Sequence, residues 1–443
     1  MSKIQLSDNF GYRRLLRFTL PTMLMVVINS VYSIVDGLFV SNFVGKQAFA
    51  AVNFIMPVLM LLAAIGTMLG TGGTALIAKI LGQGDKKKAN QVFSLLTITV
   101  IVMGVIFEIF ALIFIKDIAI SLGASEILAE ECTAYSRIII LTLPLYLLQM
   151  FFTPILVAAQ KPQMGLTLSI IAGCLNIVLD YLLIVVFHLG IEGAALATTI
   201  SQSVAGLIPL IYFFTPNTSL LRFCKPKFSW SAIIQSSTNG FSELLSSISS
   251  SVVGMLYNYQ LMRYIGEDGV AAYGVIMYAG FIFVAIFLGY SMGSAPIVSY
   301  NYGAENKKEL KNVFRKSLHI ILVFGLVMAI GSQIISPLLS KFFVGYDYDL
   351  YQLTKRAFHI YSISFLLLGF TIYASSFFTA LNNGFISALI SFVRTLICET
   401  AAVIFIPMLL GISGIWLAIN FAESVSLIFS FILLKKYKQR YGY

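Results

Sequence analysis

Charge is what this chain of 443 residues has least of: 11% of it is Asp, Glu, Lys or Arg. Soluble domains carry about 25%, so a water-soluble core of this size is excluded. Cysteine is scarce as well. Cys132, Cys174, Cys224 and Cys398 lie far apart in the sequence and show no metal or redox spacing, so they read as ordinary packing residues. His188, His319 and His359 are the only histidines. They fall near the ends of apolar segments, which suits an interface better than a proton relay. No Ser/His pairing, metal-ligand cluster or sizeable polar domain supports an enzyme or a receptor. The ten-residue alternation of a membrane β-barrel is also missing. No cleavable leader is expected, because Lys3, Arg13, Arg14 and Arg17 precede a long first apolar run.

What the chain does have is apolar surface: 58% hydrophobic residues and a mean hydropathy of +0.90. Runs long enough to cross ~30 Å of hydrocarbon as helices recur throughout. Twelve spans are expected, at 15–41, 47–78, 91–115, 132–158, 164–187, 190–214, 232–262, 269–300, 313–340, 353–380, 384–410 and 412–434. The chain also repeats itself. Residues 43–93 align with 264–314 at a constant offset of 221, with 13 of 51 positions identical. These include Gly45/Gly266, Gly82/Gly303 and Lys86-Lys87/Lys307-Lys308. The pattern Gly-Ile-x-Gly-x-x-x-Ala recurs at 190–197 and 411–418 at the same offset. Two membrane-embedded copies are the usual build of a transporter, with solute carried at their interface. The expected division is an N-lobe at 1–214, a linker at 215–231 marked by Pro216 and Pro226, and a C-lobe at 232–443. Six spans per copy give both copies the same orientation.

The net charge of +10 needs no nucleic-acid partner. With this span pattern, 21 of the 29 Lys and Arg residues fall on the side of the termini. Six fall opposite (Lys46, Lys116, Arg263, Lys341, Lys355 and Arg356), and Arg137 and Arg394 lie inside spans. Basic loops stay cytoplasmic, so both termini are expected inside.

Charges within hydrocarbon cost at least ~2.5–3.5 kcal/mol each, so each calls for a reason. Asp36 in the first span and Asp180 in the fifth should lie at similar depth, by ~1.5 Å of rise per residue. Asn29, Ser33 and Asp36 share one helix face, Asn176 and Asp180 another, and Thr198 of the sixth span could meet them. Two carboxylates, an amide oxygen and a hydroxyl form a hard-oxygen set suited to a small hard cation. Two carboxylates held close in a dry place also invite protons. The second half differs, with Tyr257 at the place 221 beyond Asp36. It carries Glu243, Arg394, Glu399 and Glu423 instead. Arg394 with the two later glutamates could form an ion-pair network, and Glu108 could pair with Arg137. Glu243, Asn29, Gln202 and Arg394 are candidates to line a substrate cavity. Pro21 shares a helix with Asp36 and is the candidate hinge.

Three segments carry a resemblance: VDGLFVSNFVG at 35–45, the turn Gly82-x-Gly84-Asp85 with its following lysines, and APIVSYNYGA at 295–304. On these motifs and the repeated six-span halves, the chain resembles the multidrug and toxic compound extrusion (MATE) family along nearly its whole length. The resemblance implies twelve transmembrane helices in two pseudo-symmetric six-helix bundles around a V-shaped cleft. It implies antiport of amphipathic, cationic compounds against protons or sodium. It also implies an N-lobe ion site at Asp36, Asn176, Asp180 and Thr198, bending at Pro21, and an acidic group at Glu243. The tenth span lacks the acid carried there by some sodium-coupled relatives. No bound cofactor is expected, and the partners are the lipid bilayer and small amphipathic molecules around a monomer. The rival expectation is a flippase for lipid-linked precursors. It would want several Arg or Lys in the cavity, where only Arg394 and Arg137 are on offer.

Overall fold

The structure, a computed structural model, describes residues 4–443 except for the side chain of residue 46. The expected basic residue Lys3 and the Lys46 side chain therefore lie outside the described residues. In hydrocarbon every backbone N–H and C=O must be paired within the segment, and the long apolar runs accordingly form helices. The first half holds Tyr12–Phe39, Lys46–Gly82, Lys86–Ser121, a bent fourth span, Pro162–Asp180 and Gly190–Phe214. The second holds Trp230–Tyr264, Glu267–Gly303, Lys307–Val344, a tenth span running from Tyr348–Tyr361 into Phe365–Ala380, and the stretch from Gly384 to Tyr441.

Three expected spans depart from separate single rods. The fourth is split into Glu126–Ile140 and Leu143–Ala158, bent by 63° where Pro144 enters the second piece. The eleventh and twelfth follow one another with no loop, parted only at Gly411, whose φ is 59° and ψ −141°. Gly190, its counterpart 221 residues earlier, has the same φ of 59°. That left-handed value explains why the repeated motif begins with glycine in both copies.

The repeat is visible in the packing. Asp85 caps the third helix by accepting from the Lys88 N–H, and Asn306 caps the ninth by accepting from the Glu309 N–H. The segment after the sixth span folds back to place Phe223 4.8 Å from Phe93. The C-terminus places Tyr443 4.8 Å from Phe314. Val102, Ile106, Ile109 and Ile113 form an exposed apolar stripe on the third helix, echoed by Val323, Val327, Ile330 and Ile334 on the ninth. Apolar stripes of this length on the outside belong against lipid.

The halves meet mainly where the first helix packs on the eighth and the second on the seventh and eighth. The approach is backbone to backbone. A Cβ on Gly72 would sit 1.9 Å from Ser236 O, and one on Gly240 1.9 Å from Met68 O. Among the described residues, the glycines that press one half onto the other are Gly72, Gly82, Gly240, Gly289, Gly293 and Gly303. All lie in the part of their helices nearest the termini. Residues 4–10 precede the first helix yet pack on the second half: Leu6 and Phe10 are buried with Phe287, Val298 and Leu310. The Phe10 N–H donates to Glu309 over 2.8 Å.

Candidate functional site

The first helix delivers Asp36 just before its regular winding gives way to a π-helical turn at Val40–Val44. The fifth span does the same with Asp180, followed by a π-helical turn at Tyr181–Val186. Such turns interrupt the i→i−4 ladder and recur at functional sites. Asp36, Asn176 and Asp180 are all buried. The Asp36 carboxylate lies beside both Asp180 and Asn176 and accepts from the Thr198 hydroxyl at 3.4 Å. The structure therefore brings Asp36, Asn176, Asp180 and Thr198 into one cluster. Both Asp180 oxygens and both polar atoms of the Asn176 amide are buried without a well-aligned partner. Buried polar atoms of a native protein are nearly always paired, so unpaired atoms on two residues of one cluster mark a place that takes a polar guest. The donors are hard oxygens, which fit a small monovalent cation.

Sequence reasoning missed the aromatic shell. Tyr135, fully buried in the fourth span, lies beside Thr198 and near both aspartates. Tyr32 sits between Asp36 and Gln149, with Tyr146 beyond it. Tyr32 precedes Asp36 by one helical turn, a signal available in the sequence; Tyr135 offered none. Ser33 does not join the cluster. It is exposed and its hydroxyl donates to the Asn29 carbonyl at 3.0 Å.

In the second half Arg394 and Glu399 lie on a third π-helical segment, Phe392–Glu399. Its wider turn places i and i+5 on similar faces. Arg394 Nε donates to Glu423 at 2.7 Å, and Thr371 donates to the other Glu423 oxygen at 2.8 Å. Glu399 lies near Arg394, with the hydroxyls of Tyr257, Tyr273 and Tyr361 around it. Arg394 is thus committed to Glu423. Glu108 and Arg137 do not form the pair considered for them: among the described residues neither belongs to an ion pair, and Arg137 is exposed while Glu108 is half-buried. Glu243, Gln202 and Asn29 are each half-buried. Pro21 is buried within an unbroken first helix, its neighbours Thr19 and Met23 clamped against Gly293 and Gly289.

A family model described as MatE matches residues 21–182 and again 244–404. The multidrug export protein MepA of Staphylococcus aureus (strain MSSA476) is similar over 442 residues, at 25% identity, covering 97% of this chain and 94% of that protein. Among solved structures, a MATE protein in complex with MaL6 superposes with a TM-score of 0.93 at 22% identity, covering 98% of both chains. An outward-facing multidrug resistance MATE transporter of the MOP superfamily does so with a TM-score of 0.92 at 23% identity, again over 98% of both.

Proposed function

Because the chain belongs to the MatE family and is a multidrug efflux transporter of the membrane, not an enzyme, we propose that it is a secondary antiporter expelling amphipathic cations in exchange for protons or sodium. The observation that carries the reading is the meeting of Asp36 with Asp180, together with four unpartnered atoms of Asp180 and Asn176. Two buried carboxylates repel each other, and a proton or sodium ion between them relieves the repulsion. Asn176 and Thr198 would supply the remaining oxygens for sodium.

The excess of basic residues at the terminal end supports a cytoplasmic position for it. The closed seam of glycines is then the inner gate, and the cleft opens outward. Cation uptake from outside neutralises the repulsion between the adjacent Asp36 and Asp180 carboxylates. The first helix then shifts near Pro21, loosening its contact with Gly289 and Gly293, and the cytoplasmic end opens to substrate. Glu243, Asn29 and Gln202 are placed to meet a cationic substrate in the cleft. One charge moving down 100 mV supplies ~2.3 kcal/mol, so one or two ions sustain a substantial drug gradient. The chain works as a monomer in this scheme. A flippase reading would need several free cavity arginines; of the two on offer, Arg394 is held by Glu423 and only Arg137 is left.

The test is dye efflux from proteoliposomes under separately imposed proton and sodium gradients, with Asp36→Asn and Asp180→Asn in parallel. Coupled efflux should follow one of the two gradients and fail in both variants. Undiminished gradient-driven efflux in both would refute the ion site.

A further inference from the structure

A second cavity lies far from the aspartates, at the terminal end and across the seam of the two halves. It encloses about 420 Å³ and is lined by Lys79 and Gln83 of the second helix, Lys88 and Gln91 of the third, and Lys227, Ser229 and Ser231 at the start of the seventh. Its charge is one-sided. Among the described residues no carboxylate pairs with Lys79, Lys88 or Lys227. The charge nearest to Lys79 is the repelling Lys88, and Lys79 rests its ammonium on the Tyr302 ring, 5.4 Å from the centroid. The neighbouring acid, Asp85, is turned to the backbone N–H of Lys88 as a helix cap. The positive end of the 35-residue seventh helix adds to the same field.

Beside the cavity the surface turns apolar. Phe228 and Trp230 are exposed and meet edge to face at 5.2 Å. Ile234 and Phe241 continue the exposed stripe along the seventh helix. Aromatic residues at the end of a span mark the headgroup level of a bilayer. A basic pocket at that level, with an apolar track leaving it, has the shape of an anionic lipid.

We propose that this cavity binds the phosphodiester headgroup of an anionic phospholipid such as phosphatidylglycerol, with the acyl chains lying along Trp230, Ile234 and Phe241. The three lysines surround the phosphate, and Gln91 and Ser231 are within the cavity wall to meet glycerol hydroxyls. The walls come from both halves, so a bound lipid ties the second and third helices to the seventh. It thereby favours the state in which the terminal end is closed.

The chain itself carries a reporter. Its two tryptophans are Trp230, exposed beside the cavity, and Trp416, buried in the second half. With Trp416→Phe as background, Trp230 fluorescence is quenched by lipids brominated on their acyl chains. Purified full-length protein in detergent is titrated with brominated phosphatidylglycerol and, separately, brominated phosphatidylcholine. Phosphatidylglycerol should bind at least about tenfold more tightly, since each lysine near the headgroup favours the anionic lipid. Lys79→Gln with Lys227→Gln should erase the preference. Lys227→Glu alone, a change on the exposed linker that spares the fold, should reduce it at least severalfold. Lys341→Gln, at the opposite end, should leave it intact. Equal quenching by the two lipids, or a preference unmoved by Lys227→Glu, overturns the proposal. So does displacement of phosphatidylglycerol by millimolar inorganic phosphate, which would assign the cavity to a free anion.

Discussion

Gly82 and Gly303 stand 221 residues apart and press against each other's helices in mirror fashion. A Cβ on Gly82 would lie 2.1 Å from Tyr300 O, and one on Gly303 2.0 Å from Lys79 O. Lys79 and Tyr300 are themselves 221 apart. The sequence repeat is thus a spatial two-fold whose axis passes between these helices.

Closure of this end should be sensitive to one methyl group. Gly303→Ala forces backbone apart at a contact no side chain can vacate. Ser236, buried beside Gly72, is a suitable sentinel. In a cysteine-free background carrying Ser236→Cys, a maleimide should react faster in Gly303→Ala than in the parent. Identical rates would mean the seam does not gate this end.

The Thr198 hydroxyl gives Asp36 one hydrogen bond of 3.4 Å. Thr198→Val should weaken the apparent affinity for the coupling ion by about fivefold, the worth of ~1 kcal/mol. Thr198→Ser should restore most of it. Ion-concentration dependence of efflux at fixed membrane potential reads this directly, and equal affinities in all three proteins would remove Thr198 from the site.

Removing Glu423 takes away the one carboxylate in direct contact with the buried Arg394 and leaves it only the more distant Glu399. Glu423→Leu should cost about 3–5 kcal/mol of stability, seen as a clear fall in thermal midpoint. Arg394→Met combined with Glu423→Leu should recover part of that loss, since paired replacement by apolar groups is far milder. Additive losses in the double variant would show that the two residues act independently.

Topology can be read from the native cysteines. Cys224 is exposed on the segment joining the halves, while Cys132 is buried. A membrane-impermeant maleimide should label Cys224 in inside-out vesicles and spare it in intact cells. The reverse pattern would invert the proposed orientation.

Much of this molecule could be read from the chain, and the limits have physical causes. The span count and the two copies follow from hydropathy and repetition, which need no three-dimensional information. Asp36 and Asp180 stand out because an acid in an apolar run is costly. The π-helical segments at 40–44, 181–186 and 392–399 were invisible, because helical periodicity assumes regular winding. That is why Glu399 and Arg394 could be suspected of pairing but not placed, and why Glu423 of the next span, not Glu399, holds the Arg394 Nε. Tyr135 was hidden for another reason: a tyrosine in a span is unremarkable until its neighbours are known. The supposed Glu108–Arg137 pair failed because proximity in sequence order says nothing of which way two helices turn their faces.

The seam proposed as the inner gate sets peptide groups against bare α-carbons at Gly72, Gly240, Gly82 and Gly303. When it parts, what comes into view is carbonyl oxygen at Ser236, Met68, Tyr300 and Lys79, which water wets readily. Opening therefore carries little of the aversion to water that guards most protein interiors. On the proposed exchange, the resistance to be overcome lies instead in the carboxylates toward the opposite end, so that a single small ion would command a movement spanning the whole bilayer.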